Sequence, residues 1–223
     1  MSKLYDKKVE CPICGNEFTT KKVLSSKLRV EKRDTDFMTY YKTENPIKYD
    51  VFVCSECGYS AMEKNFNKIR PEWKEIIKDK ITTRWKKRDY SGVRSTEQAI
   101  ECYKLALYCG ELLGLSSYHI ANICLRLTWL YRILESEEET KFMRFSLEKY
   151  KDFYYNGTFT QDTSNDATIA YLIGELHRRL GEYQEAITWF SNAISSPQIK
   201  NNLRLEKMTR EQWRVAKESA KKS

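Results

Sequence analysis

Cysteines stand at positions 11, 14, 54 and 57, in the runs Cys11-Pro-Ile-Cys14-Gly15 and Cys54-Ser-Glu-Cys57-Gly58. Two residues between thiols let a tight turn aim both sulfurs at one point, and the glycine that follows tolerates positive φ. Two such turns supply four thiolates, the donor set of a tetrahedral zinc ion with Zn–S near ~2.3 Å. The 39 residues between the turns exceed the ~15–20 of a plain zinc ribbon, so a long excursion must separate them. Two redox CxxC pairs or a disulfide are the competing readings. Neither accounts for the paired glycines, and no βαβ pattern surrounds either motif. Four thiolates leave no coordination position for water, so the expected zinc is structural. It would stabilise a small β unit too poor in apolar residues to fold unaided.

Catalytic chemistry finds little else to use. His119 and His177 are the only histidines, and both fall on apolar helical segments, where a locally satisfied core histidine is the ordinary outcome. Cys102, Cys109 and Cys124 read as buried fillers. No phosphate-cradling glycine loop, G-x-S-x-G or H-E-x-x-H occurs. The excursion does carry a candidate binding loop: Arg33, Asp34, Asp36, Tyr41 and Asn45. Two carboxylates one residue apart beside an arginine could hold a cation, pair with a basic partner or, at the furthest reach, centre an enzyme. The plainer reading is that they cap turns. Trp85-Lys-Lys-Arg88 with Tyr90 could contact phosphates, or simply form a solvated linker face.

The elements that position these residues divide the chain into three. Residues 1–62 read as β and loop, a zinc-ribbon-like head. Lys27–Arg33 and Ile47–Val53 alternate polar and apolar as half-buried strands do, Glu17–Val23 does so more weakly, and Asp34–Pro46 reads as a loop. Residues 63–94 form a connecting helix and linker. Pro71 suits a first helical position, and Trp73, Ile76, Ile77, Ile81 and Trp85 follow at helical spacing before a basic, glycine-bearing stretch. Residues 95–223 read as helix throughout. Ser95-x-x-Gln98 and Ser136-x-x-Glu139 are capping-box patterns, and Thr209-x-x-Gln212 reads as the start of a basic terminal helix. The segment 117–134 is apolar nearly all round and therefore central.

Small and large residues recur in the helical part as in tetratricopeptide repeats. Gly174, Gly181, Tyr183, Ala186, Phe190 and Ala193 match best, with fainter echoes at Ala99, Tyr103 and Ala106 and at Ser146, Tyr150 and Phe153. The spacing of these echoes is irregular. The expected fold is mainly α, an irregular tetratricopeptide-like array of α-α hairpins, with the small β head at its N-terminus.

The net charge of +8 is unevenly spread. Residues 96–198 hold 9 Lys+Arg against 14 Asp+Glu, whereas 71–95 hold 8 against 4 and 199–223 hold 8 against 3. A mildly acidic body between basic flanks argues against nucleic acid being gripped by the helices. No run of about 18 apolar residues is present, so no membrane span is expected. The N-terminus shows no apolar signal region, and seven cysteines suit a reducing compartment. A cytoplasmic location is the expectation.

Tyr5-Asp-Lys-Lys, Cys11-Pro-x-Cys14-Gly-x-x-Phe18, Arg33-Asp-x-Asp36-Phe37, Tyr41, Asn45-Pro46, Tyr49 and Val53-Cys-x-x-Cys57-Gly-Tyr59 form a motif string. With Arg126-Leu-x-Trp129-Leu-Tyr-Arg132 further on, the chain resembles a bacterial family, domain-of-unknown-function family 2225, over most of its length. The resemblance implies a zinc-knuckle head and tetratricopeptide-like helices, and no activity. The reading that follows is a non-enzymatic zinc-binding adaptor, with a protein or peptide partner on the helical surface and no small-molecule substrate evident. The alternative is nucleic-acid binding through the zinc head and the basic flanks.

Overall fold

A computed structural model describes residues 3–222. The β part consists of three two-stranded antiparallel hairpins: β1 (Leu4–Glu10) with β2 (Glu17–Val23), β3 (Val30–Arg33) with β4 (Thr39–Tyr41), and β5 (Val51–Val53) with β6 (Ser60–Met62). The cysteine turns are the tips of the first and third hairpins. Glu10 pairs with Glu17 and Val53 with Ser60, so each pairing register brackets one C-x-x-C-G.

Several boundaries differ from the sequence reading. Strand β1 lies in a charge-rich stretch that alternation does not mark. It forms because the first cysteine turn fixes its register against β2. The segment Ile47–Val53 is a strand only from Val51, because Asn45 caps a 3-10 turn over Pro46–Tyr49, its Oδ1 accepting from the Ile47 amide at 3.1 Å. The stretch 34–46 contains strand β4 where a loop was expected.

The helices are α1 (Glu63–Phe66), α2 (Pro71–Lys80), α3 (Thr96–Leu112), α4 (Ser117–Ile133), α5 (Glu138–Asn156), α6 (Asp166–Arg179), α7 (Tyr183–Ser195) and α8 (Leu203–Ala220). Ser95 and Gln98 close a reciprocal capping box on α3. The Ser136 hydroxyl accepts from the Glu138 amide, while the Glu139 amide bonds the Ser136 carbonyl. Thr209 lies inside α8, returning its hydroxyl to the Leu205 carbonyl at 2.7 Å. Asn202 starts that helix instead, as an N-cap must come before the first free amides. Among the described residues no helix is long and apolar enough to cross a membrane.

The head is packed onto the helices. Ile47, Val51, Val53 and Met62 share one buried cluster with Ala99, Tyr103, Leu127 and Leu130 of α3 and α4. The stretch read as a linker is docked as well. After α2 the chain breaks into a 3-10 turn whose Thr82 hydroxyl donates to the Cys57 carbonyl at 3.0 Å, and Trp85 Nε1 donates to the Ser55 carbonyl at 2.7 Å. A predicted helix through Trp85 is therefore cut at Lys80. Arg94, buried and without a carboxylate partner among the described residues, donates to the carbonyls of Lys48, Val51 and Tyr90 and to Thr20. Four acceptors spread its charge and tie together segments that are distant in sequence.

Helices α4 to α8 enclose a second core. Gly174 of α6 faces the Phe190 ring of α7 so closely that a Cβ there would lie 2.8 Å from it, and Ala186 is fully buried between the same helices.

Candidate metal centre

The two cysteine turns have the same backbone. In the first, Cys11 N donates to Asn16 O and Gly15 N to Cys11 O; in the second, Cys54 N donates to Tyr59 O and Gly58 N to Cys54 O, all at 2.9–3.0 Å. Gly15 and Gly58 have φ of +74° and +76°, a region costly to any residue with a Cβ. Gly58 is doubly required, since a Cβ would also meet the Trp85 ring at 2.6 Å.

Folding brings the two tips together. The four sulfurs lie within 4.8 Å of one another, and Cys11–Cys57 and Cys14–Cys54 are each 3.6 Å apart. A tetrahedron with metal–sulfur bonds of ~2.3 Å has edges of ~3.8 Å, so the residues fit a four-thiolate metal ion. Cys11, Cys54 and Cys57 are buried and Cys14 is exposed.

Electrostatics point the same way. Hydrogen bonds from Cys11 and Cys57 push the Cys54 thiol down to about 2. Cys11 is pushed up to about 12, first by its bond to Cys54, and Cys57 is raised by Cys11 and Cys54. Thiolates crowded this closely repel one another, and a cation at their centre offsets that repulsion. The remaining cysteines are different. Burial raises Cys102 to about 11 and Cys109 and Cys124 to about 12, which keeps them as protonated, unreactive thiols.

The Asp34–Asp36 loop is engaged from within the molecule. Asp36 is fully buried. Its carboxylate accepts from Arg132 at 2.7 Å, Trp129 Nε1 at 3.1 Å and the Met38 amide at 3.2 Å. Asp34 pairs with Arg132 and Arg179, each at 3.2 Å. Burial opposes ionisation of Asp34, but the two arginines outweigh it and hold its pKa below the usual value. Burial likewise opposes the charge on Arg132, and the Asp36 and Glu139 carboxylates prevail, so it stays charged. Glu175, fully buried on α6, receives Arg178 and Arg179 at 2.7 Å and the Thr35 hydroxyl at 2.5 Å. Phe37 at the loop tip has φ of +71°. Its ring packs on Tyr171 at 5.4 Å between centroids, a contact that offsets the backbone cost.

Of the other loop residues, Arg33 is exposed, Tyr41 lies on β4 opposite Val30, and Asn45 is the cap of the 3-10 turn. Sequence reasoning did not find Glu175, Arg178, Arg179 or Arg94. A cluster of charges on the otherwise apolar α6 was the available signal. His177 pairs with Glu182 at 2.6 Å and His119 with Ser116 at 2.7 Å.

A family model described as "Uncharacterized protein conserved in bacteria (DUF2225)" matches residues 4–216. The chain belongs to this family. A curated relative from Borreliella burgdorferi, itself called "Uncharacterized protein", is 27% identical over 170 residues, which cover 68% of this chain and 60% of the relative. The chain thus spans about three-fifths of that relative's length. No solved structure matches. Within the family match lie both sides of the Asp36 contacts: the Arg33–Phe37 motif and the Arg126–Arg132 stretch, joined by Asp36–Arg132 and Asp36–Trp129.

Proposed function

We propose that the protein is a non-enzymatic adaptor with a structural zinc ion, binding a protein partner on a tetratricopeptide-like helical surface. Zinc is favoured by the donor set, since four close thiolates in a tetrahedron suit it well and leave no open position for a substrate. The close Gly174–Phe190 approach between α6 and α7 supports the repeat-like reading.

The observation that carries the adaptor reading is a preformed aromatic rim at the C-terminal end of α5 and in the loop that follows it. Tyr155 is 67% exposed and Phe159 38% exposed. Both are held by neighbours rather than left loose: Tyr155 packs edge-on to Trp189 at 5.8 Å, and Phe159 lies 4.9 Å from Phe153 and 6.2 Å from Tyr154. Rigid, exposed aromatics give large contact area at low entropic cost, the composition of interface anchors. The acidic balance of residues 96–198 favours a partner segment with basic residues.

Affinity capture from the source cells with the full-length protein, beside a Tyr155→Ser/Phe159→Ser variant of matched thermal midpoint, tests this. A partner retained by the first and lost by the second supports the reading. Equal retention removes the rim from it. Binding of RNA or DNA that weakens steeply with salt would instead favour the basic flanks, although Lys87, Arg88, Arg210 and Arg214 there already face Glu56, Glu101, Glu206 and Glu218.

A further inference from the structure

A cavity of about 470 Å³ opens where α1 and α2 meet the junction of α3 and α4. That volume lies within the ~300–1,000 Å³ of small-ligand clefts. Its floor is apolar: Met62, Leu113 and Ile123 are buried there, with Leu115 beside them. Its mouth is polar and mainly basic. Lys68 and Arg70 line it, and no aspartate or glutamate does, in a chain carrying 31 acidic residues.

Arg70 is exposed and makes no ion pair among the described residues; its guanidinium lies over the Trp73 ring at 5.0 Å. Lys68 meets Asp162 across an exposed surface pair at 2.9 Å, which competes weakly with a better partner. Helices α2 and α4 both begin at this mouth, at Arg70 and Ser116, and neither cap side chain satisfies a first-turn amide. Their dipoles add to the positive field. At the same mouth burial first, then Lys64 and Lys68, lower the pKa of His119, with Asp162 opposing them. Asn65 stands half-buried on the wall.

We propose that this cavity binds a small organic anion with an apolar tail, an alkyl or aryl carboxylate. The tail lies among Met62, Leu113 and Ile123, and the carboxylate meets Arg70. This site is separate from the aromatic rim, and it goes beyond the adaptor reading. The wall at Tyr59 and Ser60 follows directly on Cys57-Gly58, so the second cysteine turn holds one side of the cavity in place.

Calorimetric titration of the metal-loaded full-length protein with octanoate, and with 1-octanol as the neutral match, tests the proposal. Octanoate should bind one per chain, about tenfold more tightly than octanol, the share of one charge-assisted hydrogen bond. Arg70→Gln should remove about that tenfold preference and leave octanol binding unchanged. Asn65→Trp, which fills the cavity, should abolish both. Thermal midpoints establish that each variant is folded, and Arg70, being exposed, keeps the test decisive if Asn65→Trp is not. Equal affinity for the two ligands, indifference to Arg70→Gln, or no saturable binding overturns the proposal. So does binding of N-acetyl-Leu-Phe by its free carboxylate where octanoate fails, which would make the occupant a peptide end.

Discussion

Replacing Asp36 by alanine tests whether the β head is clamped to the helices. The carboxylate is fully buried and receives Arg132 at 2.7 Å, Trp129 Nε1 at 3.1 Å and the Met38 amide at 3.2 Å. Removing one partner of a buried ion pair costs ~3–5 kcal/mol, because the other charge stays behind unpaired. Arg132 keeps Glu139 at 2.7 Å and Asp34 at 3.2 Å, which places the loss near ~3 kcal/mol, the lower end of that range. The stranded indole N–H adds ~1 kcal/mol. Urea unfolding at saturating metal reads the sum. With a slope of ~2–3 kcal/mol per molar, the midpoint should fall by ~1–2 M. Trp129→Phe combined with Asp36→Ala in a double-mutant cycle should show coupling of ~1 kcal/mol. Arg214→Ala, which breaks an exposed 3.9 Å pair with Glu218, should leave the midpoint unmoved. A loss below ~1 kcal/mol for Asp36→Ala would refute the clamp. It would also return the loop to the pool of solvent-facing binding candidates.

Other consequences are as direct. Chelation of the metal, or Cys54→Ser, should unfold the β hairpins while the α5–α8 helices persist, read as loss of amide protection confined to β1, β2, β5 and β6; uniform protection after metal removal would contradict a structural role. Gly174→Ala should destabilise by ~1–2 kcal/mol, overpacking against Phe190 outweighing the gain in helix propensity; Phe190→Leu in the same chain should recover part of the loss, and a stabilised single variant would show that α6 and α7 can part freely. Burial lowers the pKa of His177 despite Glu182, and that of His119 with help from Lys64 and Lys68. The unfolded chain therefore binds these protons first, and stability should decline as pH falls from about 7.5 through the unfolded histidine value of ~6.5, then level off below the folded values. His177→Gln should flatten that slope, and an unchanged slope would place the proton uptake elsewhere.

The parts legible in the sequence were those fixed by a few neighbouring residues. C-x-x-C-G at two places encodes two identical turns, because local hydrogen bonds and a left-handed glycine suffice to build each. The Ser95–Gln98 box and the apolar run from Ser117 onward likewise announce α3 and α4 from within. What failed were elements whose extent is set by a distant partner. Lys80, where α2 ends, is chosen by Thr82 and Trp85 reaching the second cysteine turn. Strand β1 exists because β2 lies opposite it, and Thr209 looks like a helix start only while Asn202 is overlooked.

The sequence by itself determined that four thiols would come in two matched turns, and that long amphipathic helices would follow them. Only the tertiary structure decided that the turns meet, that the excursion between them carries Asp34 and Asp36 into the arginines of α4 and α6, and that Arg94 pins the connecting stretch. The physical reason is range. A turn or a cap is a bargain among residues within one helical turn of each other, and their identities are enough to predict it. A buried carboxylate is tolerated only where opposite charge and donors converge on it, and that convergence is a property of the folded chain rather than of any window of its sequence.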